Sequence, residues 1–245
     1  MVVMNSLRGL IFNICYVLSV ILLSVPFMLM APFLNIFHRA KLFVFWSSVV
    51  QKLLEWICGV RVKIIGVENI PQQPVVVVSN HQSTWETLAL YRMLFPLSTV
   101  LKKELTYIPL FGWLLLMAKP IVIDRKKKAT AMKEILRQGK QRLEEGLSVL
   151  IFPEGTRVPP HETKDHLPGG ALLAVKAGCQ VLPIVHNAGL HWPAHKLAKV
   201  PGEIIVKIGK PVSAAGRSAK ELNHSLEQWL NREKSELLQP DIPPD

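Results

Sequence analysis

The hydrophobic rhythm of the chain changes early. Positions 10–34 read LIFNICYVLSVILLSVPFMLMAPFL, and no charged residue occurs between Arg8 and Arg39. As a helix those positions would extend about 37 Å, against a hydrocarbon layer of about 30 Å. Pro26 and Pro32 interrupt the run, each removing a backbone donor, so the alternative to a span is a kinked or re-entrant segment that dips into one leaflet. A signal peptide fits less well, because the run is too long and no small-residue cleavage site precedes a mature start. Residues 38–59 then place Leu42, Phe45, Trp46, Val49, Leu53 and Trp56 at helical spacing among Arg39, Lys41, Lys52 and Glu55. Two readings are open for them: a helix along the membrane interface with Trp at headgroup level, or a helix packed on the globular part.

From residue 61 the period shortens. Windows 61–66, 75–79, 98–102, 121–123, 148–152, 181–185 and 203–209 are β-branched runs that predict strands. Windows 84–95, 129–145, 170–177 and 218–234 predict helices between them. Continuous apolar runs such as VVVV and VLIF suit strands covered on both faces. The expectation is an α/β domain with a mixed, mainly parallel sheet flanked by helices, preceded by an N-terminal membrane-associated helical segment. The corresponding boundaries are 1–59 for the anchor, 60–238 for the α/β domain and 239–245 for a C-terminal tail. Pro183, inside an apolar strand window, predicts an edge or a bulge.

Charge narrows the partners. Lys and Arg number 29 against 18 Asp and Glu, a formal +11, while only 19% of residues are charged and 49% are hydrophobic. This excludes a disordered acidic tail or a charge-rich fibre, and a basic apolar chain suits an anionic lipid surface. Nucleic acid competes for the same charge, but no aromatic-interleaved RNA motif or helix-turn-helix signal is present. Cys15, Cys58 and Cys179 lie far apart without ligand spacing, so neither a metal site nor a disulfide framework is expected.

Three constellations carry chemistry. SNHQSTWET (79–87) follows the VVVV strand, and His81 falls where ligands meet the carboxyl edge of an α/β sheet. Glu86 could orient that imidazole and stabilise its protonated form. The competing reading is structural: Ser83 and Glu86 match the S-x-x-E pattern of a capping box. FPEGTR (152–157) ends a strand with a Gly turn; Thr156 adds a donor and Arg157 a planar fork suited to phosphate or carboxylate. Glu154 either accepts from a substrate hydroxyl or fixes the loop. Arg125, after the PIVID strand, delivers a second guanidinium to the same edge, with Lys126, Lys127 and Lys128 behind it. VLPIVHNAG (181–189) reads as wall more than catalyst.

In this pattern the sequence resembles the glycerolipid acyltransferases of the bacterial 1-acyl-glycerol-3-phosphate acyltransferase type. The likeness runs from about residue 60 to 209. His81 and Glu86 stand as the family's first block, with Glu where Asp is usual. Arg125 matches the arginine of the second block, although Ala118, Lys119 and Pro120 stand where a Gly is common. Residues 152–157 match the third block and 181–184 the fourth. The stretch Lys102-Lys103-Glu104-Leu105, with Ile108-Pro109 and Gly112-Trp113, is similar to the segment after the first block, where a lysine lies near the reacting carbonyl; Lys102 takes that place.

The resemblance implies acyl transfer from a thioester of acyl carrier protein or coenzyme A to the sn-2 hydroxyl of lysophosphatidic acid, giving phosphatidic acid. It implies His81, Glu86 and Lys102 as catalytic residues. Arg125, Glu154, Gly155, Thr156 and Arg157 would bind substrate, and no metal or cofactor would be needed beyond the acyl thioester. Partners would be the phospholipid bilayer, the lysophospholipid and the acyl carrier, with no nucleic acid. The location would be the inner membrane, with the site facing the cytoplasm. Another lysolipid acceptor such as a lyso-ornithine lipid, or water in a membrane-bound thioesterase, remain alternatives within acyl chemistry. A non-enzymatic basic membrane protein is the alternative outside it.

Overall fold

The computed structural model of the chain describes residues 2–239; of the expected tail, residues 240–245 lie outside the described part. Two long helices come first, α1 (Val2–Met30) and α2 (Ile36–Cys58), joined by a 3-10 turn over Ala31–Phe33. They form an antiparallel hairpin: Phe27 meets Phe45 near the turn, and Cys58 Sγ reaches the Arg8 carbonyl at 3.7 Å at the open end. Pro32 ends α1 as expected, but Pro26 does not interrupt it. Val20, Ser24 and Phe27 bury one flank of this stretch against the rest of the molecule, so tertiary packing holds the helix through the missing donor.

The α/β part contains eight strands: β1 (Val60–Ile65), β2 (Val76–Ser79), β3 (Leu97–Lys102), β4 (Ile121–Ile123), β5 (Ser148–Ile151), β6 (Gln180–His186), β7 (Gly202–Ile208) and β8 (Val212–Ser213). They form one sheet in the order β1-β7-β6-β2-β5-β3-β4, with β8 paired to β6. Strands β2 to β6 run parallel, while β7 and β8 pair antiparallel with β6. The carboxyl ends of β2 to β6 therefore share one edge, which is where every motif of the sequence arrives. Alternation splits the VVVV run between two faces. Val77, Leu150 and Leu182 pack with α1, α2, α3 (Trp85–Met93) and α4 (Phe111–Met117). Val76, Val78, Val149 and Ile151 pack with α5 (Lys128–Glu144), α6 (Gly169–Ala177) and α8 (Ala219–Leu238). A single turn, α7 (Ala188–His191), follows β6.

One open reading closes here for Trp46, and one expectation changes in part. Trp46 is fully buried in α2, its indole N–H donating to Ser19 Oγ at 3.0 Å, so it belongs to the packed face and not to a headgroup level. Pro183 lies in an interior strand and not at an edge. The flank opposite it carries one extra residue, four steps from Ile208 to Val212 against three from Val181 to Ile184, which is a bulge. Pro183 sits where the flank of β6 passes from β8 (at Val181) to β7 (at Ile184), and its carbonyl accepts from Gly209 N at 2.9 Å. The missing N–H falls in this gap between two partners, which is why the sheet tolerates it.

Candidate active site

β2 delivers His81 two residues past its end, and Glu86 stands in the first turn of α3. The Glu86 carboxylate is fully buried, and one oxygen, Oε1, accepts three bonds: from His81 Nδ1 at 2.7 Å, Gln82 N at 2.9 Å and Ser83 N at 2.8 Å. The contact that would orient the imidazole and the contacts that cap the helix start therefore coexist on the same atom. The Ser83 hydroxyl accepts from Trp85 N and not from Glu86 N, so the reciprocal half of a capping box is absent. Glu86 Oε2 has no partner among the described residues. Burial pushes the Glu86 carboxyl up, but the His186 and His81 imidazoles and the Ser83 amide outweigh it and hold it below the usual carboxylate value.

With Glu86 on Nδ1, that nitrogen carries the proton, and Nε2 of His81 is left as the acceptor lining a cavity of about 580 Å³. The ring stacks on Phe152, just past the end of β5, at 4.2 Å between centroids and 15° between planes. A second buried pair holds the loop beneath it. Asn80 Nδ2 donates to the His186 carbonyl at 2.9 Å, and His186 N donates to Asn80 Oδ1 at 3.0 Å. His186 Nε2 lies 3.0 Å from the Asn80 carbonyl, while Nδ1 accepts from Ala188 N at 3.3 Å. That pattern assigns a neutral Nε2–H ring, and complete burial pushes its pKa down as well.

The FPEGTR turn places its side chains in different directions. Glu154 is buried and does not line the cavity; its Oε2 accepts from His81 N at 2.7 Å, tying the two motifs together. Val158 N closes the same junction on the His81 carbonyl at 2.8 Å. Burial pushes the Glu154 carboxyl up to about 7, against the His81 amide and the Lys234 charge, which lower it. Gly155, at φ 68, reverses the chain, and its carbonyl accepts from Arg125 Nη1 at 2.7 Å. After that reversal Thr156 faces solvent, outside the cavity lining, and Arg157 faces in. Glu154 and Gly155 thus brace the turn and Thr156 points out of it, while Arg125 and Arg157 reach the cavity.

Neither guanidinium has a carboxylate partner among the described residues, and Arg157 Nε is buried with no hydrogen bond there. Two unpaired planar forks in one chamber are a ready site for an anion. Lys102, at the end of β3, also lines the cavity, half-exposed and 3.4 Å from Glu104. Much of the remaining wall is apolar, with Tyr16, Val17, Val20 and Ile21 from α1 and Leu105, Leu110, Phe111 and Leu115 from the segment between β3 and β4, while Asn13, Thr84, Thr87, Thr99, His195, Lys196 and Lys199 add polar and basic groups. That α1 contributes to this wall had no signal in the motif spacing. The buried Asn80–His186 pair was likewise outside it. No cluster of three metal-ligating side chains occurs among the described residues.

Comparison with known proteins places these features in a family. Residues 61–187, more than half of the chain, match the family described as Acyltransferase. The chain is 46% identical over 195 residues to a 1-acyl-sn-glycerol-3-phosphate acyltransferase of Pseudomonas aeruginosa, covering 78% of this chain and 76% of that one. A protein of the same description from Chlamydomonas reinhardtii is 31% identical over 218 residues, covering 85% and 64%. In fold, the crystal structure of the 1-acyl-sn-glycerophosphate (LPA) acyltransferase PlsC from Thermotoga maritima is similar over 96% of this chain and 97% of that one, with a TM-score of 0.80 at 24% identity. A sheet edge that brings His81, Arg125 and Arg157 to one chamber, and a family match that spans all three, agree: the chain belongs to the acyltransferase family.

Proposed function

We propose that the enzyme transfers a fatty acyl group from a thioester to the sn-2 hydroxyl of lysophosphatidic acid, producing phosphatidic acid. The observation that carries this reading is the opening of His81 Nε2 into the same chamber as two guanidiniums that no carboxylate occupies. The names of the relatives from Pseudomonas and Chlamydomonas support it. Nε2 takes the proton of the acceptor hydroxyl as that oxygen attacks the thioester carbonyl. Glu86 holds the ring in the required tautomer and stabilises the imidazolium. As the tetrahedral intermediate collapses, the C–S bond breaks and the imidazolium returns the proton to the thiolate. Lys102 is the cation available to the developing oxyanion. Arg125 and Arg157 hold the acceptor's phosphate and fix its orientation before the chemical step. The apolar wall takes acyl chain. The acyl thioester, of a carrier protein or of coenzyme A, is a co-substrate.

The hairpin bears on location. α1 presents an exposed apolar stripe along its whole length, from Val3 through Leu7, Ile14 and Leu18 to Val25 and Leu29. Its other face packs on the core and lines the cavity. With its other side committed to the protein, we place the exposed stripe of α1 in bilayer lipid. We place the enzyme on the cytoplasmic face of the inner membrane, where the three free thiols fit a reducing compartment. Membranes carrying the enzyme, incubated with labelled acyl-carrier protein or acyl-CoA and a panel of lysolipids, test the reading. Phosphatidic acid formed only when lysophosphatidic acid is supplied supports it; acyl release to water, or product on another lysolipid alone, refutes it.

A further inference from the structure

The segment between β3 and β4 has two faces, and one of them has no part in the cavity. Leu105, Leu110 and Leu115 point into the chamber that holds His81. Tyr107, Trp113 and Leu116 point away from it and stand 64%, 45% and 46% exposed. This orientation is enforced against local preference. Leu110 has φ 63, a region that a β-carbon disfavours, and Phe111 N closes a tight turn on the Pro109 carbonyl at 2.7 Å. Gly112 permits the fold-back, since a β-carbon there would sit 2.5 Å from the Thr106 carbonyl oxygen. A loop free in water would relax the turn; here α4 is braced on both helices of the hairpin, with Phe111 against Trp46.

We propose that the outward face of residues 107–116 is a lipid-contacting surface, continuous with the exposed stripe of α1, so that the wall closing the acyl cavity is itself seated in the bilayer. The proposal rests on the reading that α1 lies in the membrane. Continuity identifies the occupant: α4 packs directly against α1, whose neighbouring surface is a 29-residue apolar helix. Composition agrees. Tyr and Trp are the side chains that settle at headgroup level, and Lys103 places a cation 5.9 Å from the Tyr107 ring at the rim of the patch. An apolar patch with a cation at its edge suits the headgroup boundary of an anionic leaflet. Such seating would leave one thin wall between the chamber and the lipid that supplies its substrate.

The test uses the full chain and its Trp113→Phe variant bound to vesicles of phosphatidylethanolamine and phosphatidylglycerol, with plain or brominated acyl chains. The emission difference between the two proteins reports Trp113 alone. At least half of that difference should be lost on brominated lipid. Bound protein whose Trp113 emission is unchanged by bromine overturns the proposal and leaves α1 as the membrane element; failure of the wild type to bind vesicles overturns both. In parallel, the Trp113→Ser/Leu116→Ser double variant is assayed on vesicle-borne lysolipid and on a short-chain lysolipid below its micellar concentration. The apparent KM should rise about tenfold on vesicles and stay unchanged on the soluble acceptor. Equal losses in both assays would mean that the face serves folding only, and would overturn it. Absence of wild-type transfer to either acceptor would refute the proposed function, with the quenching result still deciding this proposal.

Discussion

Glu86 Oε1 meets both the His81 ring and two backbone amides, and substitutions separate the proposed orienting duty from the cap. Glu86→Gln keeps a carbonyl acceptor for the Gln82 and Ser83 amides but removes the charge that stabilises the imidazolium. Its melting temperature should stay within a degree or two of wild type while kcat falls by about 10²–10⁴-fold, the usual span for impaired acid–base catalysis. Glu86→Asp draws the carboxylate back by one methylene from three donors at once. Both quantities should fall, the melting temperature by about 2–4 °C for each kcal/mol lost in a chain of this size. Thermal melts beside steady-state kinetics check both variants, and full activity in Glu86→Gln would sink the orienting role. Glu154 makes a different prediction. Burial raises it from 4.5 to about 7, so the folded state holds a proton that the unfolded chain has already released. Its contribution to stability is present below the unfolded value and is lost as pH rises through about 7. Glu154→Gln keeps an acceptor for His81 N and cannot ionise. Wild type should therefore lose up to a few kcal/mol, or several degrees of melting temperature, relative to this variant between pH 5 and 8. Parallel pH profiles of the two proteins would contradict the buried neutral carboxyl.

At the scale of elements, α1 is locked to the 193–201 loop by close backbone approach. A β-carbon on Gly9 would sit 2.0 Å from the Leu197 carbonyl oxygen, and Lys199 N bonds the Asn5 carbonyl at 3.3 Å. The Lys199 ammonium is buried nearby, bonded to the Lys196 and Leu197 carbonyls and facing the Trp192 ring at 5.4 Å. Backbone on both sides leaves no side chain to yield, so Gly9→Ala must displace the helix. A loss of about 1–3 kcal/mol, typical of overpacking, is expected from denaturation in detergent. Because residues 13–21 of the same helix line the chamber, the apparent KM for the acyl thioester should rise as well. An unchanged KM would show that α1 is an anchor and no more.

For the whole molecule, the hairpin and the α/β part share one core. Phe12, Phe43 and Trp46 pack in the same buried cluster as Leu90, Leu150 and Leu182, and Trp192 joins Phe12 edge-on at 4.9 Å. Removing residues 1–34 would uncover this surface and open the cavity along one side. The truncated chain should be recovered insoluble or inactive, measured as yield in the soluble fraction and as transfer to lysolipid. A soluble and active product would mean that the boundary at residue 59 separates independent units. The division at that residue is real as a change of secondary structure, since α2 ends at Cys58 and β1 begins at Val60, but the buried apolar surface crosses it.

The amino-acid order carried no pattern for the two-residue β8 or for helix α4, but by itself it determined the other seven of the eight strands, the α/β architecture, and the arrival of His81, Arg125 and Arg157 at one edge. These follow from short-range regularities: side-chain alternation, strand ends and motif spacing. It also narrowed Glu86 to an imidazole partner or a cap. Only the tertiary structure decided that one oxygen serves both, because that depends on where three donors converge. The fold likewise turned Glu154 toward the His81 backbone and Thr156 toward solvent, since a left-handed Gly155 sets directions that no periodicity encodes. Trp46 went inward and Pro26 stayed helical for a common reason: burial against distant segments outweighs local preference. The same long-range packing made an apolar N-terminal helix into a wall of the cavity that holds His81.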